Sequence, residues 1–154
     1  MIKVAKEVNG NVMTLRLSGS IEESVALDEM VGPTPPEVRV DCKEITRINS
    51  VGVKGWIKYF SGLQAKNTKL TFFQCSTAIV EQVNLISNFV CGGTVESIYV
   101  PFACTNCKAE LIALFKTADL NPDAIQLPEL KCTKCSGKAV FDDIEEEYFS
   151  FLSR

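Results

Sequence analysis

The sequence predicts an α/β fold in which a mixed sheet carries packed helices, followed by a small C-terminal module held together by cysteines. Three observations lead to this prediction: a hairpin signal at the start, strand-like and helix-like segments that alternate up to residue 100, and two close pairs of cysteines near the end. At 154 residues the chain has room for a domain of about 100 residues and a smaller one. We therefore predict a first domain at 1–100 and a second at 101–154, with Pro101 at the boundary.

The chain opens with two segments of alternating apolar and polar residues, 3–8 and 12–18. Asn9, Gly10 and Asn11 separate them, and Asn-Gly between alternating runs is a strong local signal for a β-hairpin. The acidic stretch 20–29 favours one or two helical turns. The proline cluster at 33–36 then requires a loop before a strand at 38–42.

Helices and strands alternate after this loop. The clearest helix is 50–66, because its apolar residues recur at helical spacing and form one face: Val53, Trp56, Ile57, Phe60 and Leu63. Asn67 is expected to end this helix. A strand at 70–75, a helix at 77–89 with Ser76 as its N-cap, and a strand at 95–100 complete the first domain. This order of elements predicts a mixed sheet with helices packed on it.

Composition excludes several classes of function. The chain has no histidine, which removes histidine-based nucleophile systems and histidine-liganded catalytic metals. The formal net charge is −3, so nothing indicates the basic surface that nucleic acids require. No combination of base, nucleophile and oxyanion donors can be named, so we expect a protein that is not an enzyme.

The sequence also suggests the cellular compartment of the protein. We find neither a signal peptide nor an apolar run of membrane-spanning length, so we expect a cytoplasmic protein with no membrane partner. Its seven cysteines are then expected to stay reduced. Three of them, Cys42, Cys75 and Cys91, stand singly among apolar neighbours and are expected to be buried.

The other four cysteines form two CxxC pairs, Cys104 with Cys107 and Cys132 with Cys135. Two residues between cysteines let both sulfurs of a pair face one tetrahedral ion, so the four side chains are the expected ligands of a structural Zn²⁺ in a zinc ribbon. Four thiolates leave no open position for water or substrate, so such a metal would stabilise structure rather than catalyse. A redox dithiol and a rubredoxin-like iron site are the alternatives.

The remainder of the second domain predicts few regular elements. Strands are predicted at 111–115 and 139–141, and a loop over 117–130. The segment 144–152 predicts a short amphipathic helix whose apolar face comprises Ile144, Tyr148, Phe151 and Leu152. This face either covers the protein's own sheet or ribbon, or belongs to a docking helix that enters a groove on a partner.

Three short motifs lie in the first 100 residues: Leu17-Ser18-Gly19-Ser20-Ile21, Val38-Arg39-Val40-Asp41 and Ile48-Asn49-Ser50-Val51-Gly52-Val53. In order and spacing they resemble the STAS domain, which is named for sulfate transporters and anti-sigma-factor antagonists. The first motif resembles the family's second strand, the second its strand ending in Asp, and the third its Asp-Ser-Ser-Gly loop ahead of the second helix. The resemblance covers residues 1–100, implies a STAS-like mixed sheet, and does not include the CxxC pairs.

The resemblance also implies a phosphorylation site. In STAS antagonists the first serine of that loop is phosphorylated by a partner kinase that is also an anti-sigma factor, and this serine aligns with Ser50. Asn49 replaces the family's aspartate, and Val51 replaces its second serine. Because Ser50 precedes a strong helix, a phosphate there would gain hydrogen bonds from free backbone N–H groups at the positive end of the helix dipole. Ser50 also suits an ordinary N-cap, which needs no modification.

The expected function is a non-catalytic, regulatory protein–protein interaction in a bacterial partner-switching system. The resemblance implies a serine kinase acting as anti-sigma factor, or a phosphatase, as the partner. The expected partner surface comprises Ser20, Glu22, Glu23, Asn49 and Ser50. Two alternatives remain, a phosphorylation-independent scaffold subunit and a nucleic-acid-associated zinc-ribbon adaptor.

Overall fold

Two β-sheets and four α-helices make up the computed structural model, which describes residues 2–22 and 26–153. Within these residues, one sheet has five strands in the order β1-β2-β3-β4-β5 and the other has four strands in the order β7-β6-β9-β8. The prediction of an α/β protein with a mixed sheet is confirmed.

The five-stranded sheet contains the antiparallel hairpin and three parallel strands. Its bounds are β1 Lys3–Asn9, β2 Val12–Ile21, β3 Glu37–Ile48, β4 Lys69–Phe73 and β5 Thr94–Val95. β1 pairs antiparallel with β2, whereas β2, β3, β4 and β5 pair in parallel. Gly10 turns the hairpin with φ +61°, a conformation that glycine adopts readily. The hairpin prediction is therefore confirmed in position, but the two turn residues are Gly10 and Asn11 and not the Asn9-Gly10 pair that gave the signal.

The helices are α1 Leu27–Val31, α2 Ser50–Ala65, α3 Thr77–Leu85 and α4 Glu145–Tyr148. α2 buries the predicted apolar face, and Trp56 and Phe60 are fully covered. It ends near Asn67, which has φ +60°. α2 is the longest helix at 16 residues, and in the described part of the chain no helix combines the length and the apolar character needed to cross a bilayer.

An aromatic cluster joins α2 to the sheet and to the segment after α3. Trp56 stacks on Phe89 with ring centroids 4.9 Å apart, and it also contacts Phe60 and Phe72. The Trp56 indole N–H donates to the backbone oxygen of Phe89 at 3.0 Å, so its polar atom is satisfied in the core. α3 ends at Leu85, four residues earlier than predicted, because the chain then turns to place Phe89 on Trp56.

The predicted strand at 95–100 is wrong in extent, because two strands of different sheets occupy this region. β5 ends at Val95, and β6 runs over Ser97–Cys104 in the second sheet. The remaining strands are β7 Glu110–Lys116, β8 Leu130–Lys131 and β9 Lys138–Phe141. The boundary predicted between residues 100 and 101 falls inside β6, and one apolar core contains residues of both sheets.

One edge of β6 changes its partner along the strand. At its start, Tyr99 N–H donates to the Cys75 oxygen at 2.8 Å, and Cys75 N–H donates to the Ser97 oxygen at 3.0 Å. Further along, β6 pairs antiparallel with β9. Pro101 lies where one partner gives way to the other, and its oxygen accepts from Asp142 N–H. A proline is tolerated in this strand because its missing N–H falls at the change of partner.

Candidate functional site

The four cysteine sulfurs of the CxxC pairs converge at one point. The Sγ atoms of Cys104 and Cys135 lie 3.5 Å apart, those of Cys107 and Cys132 lie 3.6 Å apart, and all four lie within 4.8 Å of one another. A tetrahedral ion about 2.3 Å from each sulfur would separate its ligands by about 3.8 Å. Both short contacts join one CxxC pair to the other, which suits a shared ion better than a dithiol within one pair. The four cysteines could therefore hold a metal ion.

The two CxxC pairs have matching backbone conformations. The residue after each pair is left-handed, with φ +64° at Lys108 and φ +63° at Ser136. Its N–H donates to the oxygen of the first cysteine, at 3.2 Å in the first pair and 2.8 Å in the second. We call each such turn a knuckle, residues 104–109 and 132–137. Lys108 and Ser136 were not predicted as site residues, although each directly follows a CxxC pair in the sequence.

The four-stranded sheet presents the two knuckles to each other. Cys104 is the last residue of β6 and continues its buried face, where Ile98, Val100 and Phe102 are also fully covered. β8 ends immediately before Cys132, and β9 begins immediately after the second knuckle. Cys104 and Cys132 are buried, whereas Cys107 and Cys135 are exposed. The cluster is therefore anchored in the core on one side and open to solvent on the other.

Backbone and side-chain N–H groups donate to the sulfurs. Cys104 Sγ accepts from the amides of Asn106 and Cys107, both at 3.4 Å. In the second knuckle, Cys132 Sγ accepts from Lys134 N–H at 3.4 Å. Such donors stabilise negative charge on sulfur, so they favour the thiolate form that binds metals.

Cys135 has the most favourable surroundings for a thiolate. The side-chain amide of Asn106 donates to its sulfur at 3.5 Å and the Gly137 amide donates at 3.4 Å. These two hydrogen bonds, of which the one from Asn106 has the larger effect, lower the pKa of Cys135 to about 6. The Lys134 amide similarly lowers the pKa of Cys132. Asn106 is thus a positioning residue that contacts the opposite knuckle.

The pKa of Cys107 is shifted in the opposite direction to that of Cys135. The Ala109 amide lowers its pKa, but hydrogen bonds with the Cys135 and Cys132 sulfurs outweigh this effect and raise the pKa to about 11. Four thiols this close do not all ionise unless a cation compensates their charge. The cluster therefore has the electrostatics of a cation site.

The two knuckles approach so closely at Gly137 that a side chain there would require its neighbours to shift. A Cβ at this position would lie 3.0 Å from the Asn106 Cβ and 3.2 Å from the Cys104 sulfur. Both distances are tighter than ordinary van der Waals contacts, so glycine here permits the approach of the two knuckles.

Replacing Asn106 by Ala should make the site release its metal at a higher pH. Protons displace a bound metal ion as the pH falls towards the pKa values of the thiols. Because the hydrogen bond from Asn106 lowers the pKa of Cys135, loss of Asn106 should raise that pKa and let protons displace the metal at a higher pH. We also expect about a tenfold loss of metal affinity, as for other residues that support metal ligands. Acid titration with a chromogenic chelator measures both effects.

Thr133→Ala is the matched control, since Thr133 is exposed in the second knuckle and its side chain makes no hydrogen bond to a sulfur in the described residues. An Asn106→Ala release curve that overlays the curves of wild type and this control would contradict the role assigned to Asn106.

The second candidate surface lies at the start of α2, where the structure corrects the expected cap. Asn49, not Ser50, is the N-cap: its side-chain oxygen accepts from Gly52 N–H at 2.9 Å. Ser50 is instead the first residue of the helix and is exposed, as is Val51. The cap falls on Asn49 because its carbonyl reaches the N–H three residues ahead.

Asn49 also connects the helix to the loop after β2. Its side-chain N–H donates to the Glu22 oxygen at 2.9 Å, and its backbone N–H donates to the Ile21 oxygen at 3.2 Å. Arg47 reaches the Glu22 carboxylate at 3.3 Å. The structure therefore brings together Glu22, Asn49 and Ser50 of the predicted partner surface, with Ser20 half-buried at the end of β2. Glu23 lies outside the described residues.

Gly52 is required where α2 crosses the end of β2. A Cβ at Gly52 would lie 2.0 Å from the backbone oxygen of Ile21, a distance that no relaxed structure tolerates. This contact explains why glycine stands at position 52, the fifth residue of the motif at 48–53. Because Ser50 is only two residues from Gly52 in the same helix, the contact also sets the distance between Ser50 and the sheet.

Replacing Gly52 by Ala should lower the free energy of unfolding by about 2–3 kcal/mol, since the methyl group collides with rigid backbone. Gly62 lies in the same helix, and a Cβ there would meet nothing within 4 Å. Gly62→Ala is therefore the matched control and should raise the free energy of unfolding by about 0.5–1 kcal/mol through helix propensity. Urea unfolding followed by circular dichroism measures both. Equal effects of the two substitutions would contradict the close approach at Gly52.

The C-terminal segment packs on α3 of its own chain. Tyr148 and Phe149 are buried, and the Tyr148 hydroxyl donates to the Tyr99 oxygen. Asn84 on α3 binds the segment through the Tyr148 oxygen at 2.8 Å and Phe151 N–H at 2.9 Å.

The helix predicted at 144–152 is wrong in extent, because α4 covers only Glu145–Tyr148 and a 3-10 turn follows at Ser150–Ser153. The predicted apolar face is therefore not continuous. Ile144 is 54% exposed and lies off the buried side, Phe149 takes a buried place that was not predicted, and Phe151 and Leu152 are half-buried. Tyr148 alone of the four is fully covered.

No family model and no curated protein matches this chain. The geometry of the cysteine cluster and of the start of α2 is therefore the basis for assigning a function.

Proposed function

We propose that the protein is a non-catalytic, regulatory protein-interaction module whose partner binds at the start of α2. The observation that carries the proposal is the exposure of Ser50 and Val51 beside Asn49, which caps the helix and donates to the Glu22 backbone oxygen. A surface presented by a rigid backbone loses little conformational entropy on binding. Val51 is 45% exposed and supplies apolar contact area next to the polar groups of Ser50 and Glu22.

Phosphorylation of Ser50 is the form of regulation that this surface supports. The start of a helix leaves the N–H groups of its first residues without intrahelical partners, so a phosphate on Ser50 would find donors close by. Lys54 is exposed one turn further along the same helix, at the spacing that favours an ion pair with residue 50. The added charge would also change a partner contact at Val51 through desolvation and repulsion. This proposal agrees with the resemblance of residues 48–53 to the STAS phosphorylation loop.

A phosphorylation-independent scaffold is the second candidate, and the contacts of Asn49 favour it. Both polar atoms of its side chain are already used, one for the helix cap and the other for the Glu22 oxygen. Asn49 therefore has a sufficient structural role without any kinase. In this form the partner binds the same surface constitutively.

The ion that we propose for the cysteine cluster is Zn²⁺ in a structural role. Four thiolates in tetrahedral reach suit zinc, and they close its coordination sphere so that no substrate can bind. Two of the cysteines are buried and two are exposed, which is consistent with a metal ion that holds the two knuckles against the four-stranded sheet.

Elemental analysis of the purified protein should find one zinc ion per chain. Cys132→Ser should abolish it, because three thiolates and a hydroxyl bind zinc far less tightly. Cys42→Ala is the control, since Cys42 is buried outside the cluster and its loss should leave the zinc content unchanged. Iron in place of zinc, or no metal in wild type, would contradict the assignment.

A photo-cross-linking residue at Val51 should capture one protein partner in the cells that make this chain. The same residue at Glu7, which is exposed on β1, serves as the control and should capture none. Equal capture from both positions, or no capture from Val51, would show that the start of α2 is not the partner surface.

Phosphopeptide analysis distinguishes the switch from the scaffold. Cleavage after Arg47 and Lys54 releases residues 48–54, in which Ser50 is the only hydroxyl-bearing residue. A phosphorylated fraction that changes with growth condition is expected if Ser50 is the switch. An unmodified peptide in every condition would remove the switch and leave the constitutive scaffold.

A further inference from the structure

β7 is an edge strand without the features that usually protect such edges. It spans seven residues, Glu110–Lys116, and within the described residues its only strand partner is β6. The five residues between its terminal charges are all apolar. An edge of this kind presents a row of unpaired N–H and C=O groups to another strand.

The hydrogen bonds to β6 determine which residues of β7 face the free edge. Cys104 N–H donates to the Ala109 oxygen at 2.9 Å, and Thr117 N–H donates to the Glu96 oxygen at 3.0 Å. The two bonds lie just beyond the two ends of β7, and the residue pairs that they join follow the same register as the β6–β7 pairing. Because bonded and non-bonded residues alternate in an antiparallel pair, the odd-numbered residues of β7 bond to β6. The even-numbered residues therefore direct their N–H and C=O groups outwards: Glu110, Ile112, Leu114 and Lys116.

Side chains on the same strand are also exposed. Ile112 is 60% exposed and Leu114 is 46% exposed, both on the face of the sheet that points away from the core. The other long edge strand, β1, is different. It carries Lys3, Lys6 and Glu7, and the Lys6 ammonium donates to the Val31 oxygen of α1. β1 thus carries charges along its length and is tied to α1, whereas the charges of β7 stand only at its two ends.

We propose that β7 pairs antiparallel with β7 of a second copy of this chain, which joins two four-stranded sheets about a two-fold axis. The register places Ala113 of one copy opposite Ala113 of the other. Ile112 then lies opposite Leu114 of the second copy, and Glu110 lies opposite Lys116 of the second copy.

Two independent observations select this register. Outward-facing residues must pair with outward-facing residues, and in this register every even-numbered residue meets an even-numbered one. The charges are also complementary, since both ends of the paired strands form a Glu110–Lys116 contact. Shifting the register by two residues in either direction places at least one of these charges opposite an apolar side chain. Because the strand is complementary to itself, two copies satisfy each other in a closed dimer.

Neither charge has a competing use in its own chain. Glu110 lies opposite Ala103, and Lys116 lies opposite Ser97, in the pairing with β6. Neither residue forms a salt bridge within the described residues. Reversing either charge should therefore leave the fold of the single chain intact.

Charge reversal and its rescue test the dimer in the full-length, metal-loaded protein. Sedimentation should show a mass that rises with concentration towards twice 17.0 kDa. Glu110→Lys should weaken the dimer roughly tenfold, since each exchange turns two attractive cross-strand pairs into two repulsive ones. Lys116→Glu should do the same, and the double variant should return the dissociation constant to that of wild type. Glu7→Lys, which makes the same exchange on β1, is the control and should have no effect.

Three results would overturn the proposal. One is a wild-type protein that stays monomeric at every concentration reached. A monomer whose β7 instead binds an extended strand of another protein would overturn the proposal in the same way. Another is a dimer whose dissociation constant is unaffected by either single reversal, which would place the interface elsewhere. The third is a double variant that is no tighter than the single ones, which would exclude this register.

Discussion

The arrangement of the whole molecule depends on β6, because this strand bonds to the segment that follows β4 and ends in a cysteine of the four-cysteine cluster. β7 pairs along one edge of β6. On the other edge, the first residues of β6 bond to Cys75, two residues beyond β4, and its last residues pair with β9. Its buried side chains belong to the same core as Trp56 and Phe72. An ion bound at Cys104 would therefore be mechanically connected to the core of the five-stranded sheet.

The start of α2 has a comparable constraint at smaller scale. The contact of Gly52 with the Ile21 oxygen fixes the distance between helix and strand, and Asn49 donates to the backbone oxygens of Ile21 and Glu22. The hydroxyl-bearing Ser50 and the side chain of Val51 remain exposed at this helix start, which is hydrogen-bonded to the end of β2.

Local signals in the sequence predicted much of this structure. The hairpin at residues 9–12, the apolar face of α2 and the two CxxC pairs each depend on residues close together in the chain, and the positions of all three were predicted correctly. Backbone geometry within each knuckle repeats because the same spacing imposes the same turn.

Features that depend on distant residues were not predictable in the same way. Asn49 and Ser50 both suit an N-cap, and only the position of the Ile21–Glu22 backbone decides between them. Ser76 lies at the N-cap position of α3 as predicted, but its hydroxyl makes no capping hydrogen bond there. Pro101 suggested a boundary, yet β6 passes through it because its neighbours change at that point. Asn106 was missed because its partner sulfur is 29 residues away.

The most direct test of the coupling through β6 is urea unfolding followed by the fluorescence of Trp56, in metal-loaded and chelator-treated protein. Trp56 is the only tryptophan and is fully buried against Phe89, in the core beside the five-stranded sheet and not at the cysteines. If β6 couples the two sheets, removing the metal should lower the urea midpoint reported by Trp56. A midpoint that stays the same after complete removal of the metal would show that the five-stranded sheet is independent of the cysteine cluster, and would contradict the account.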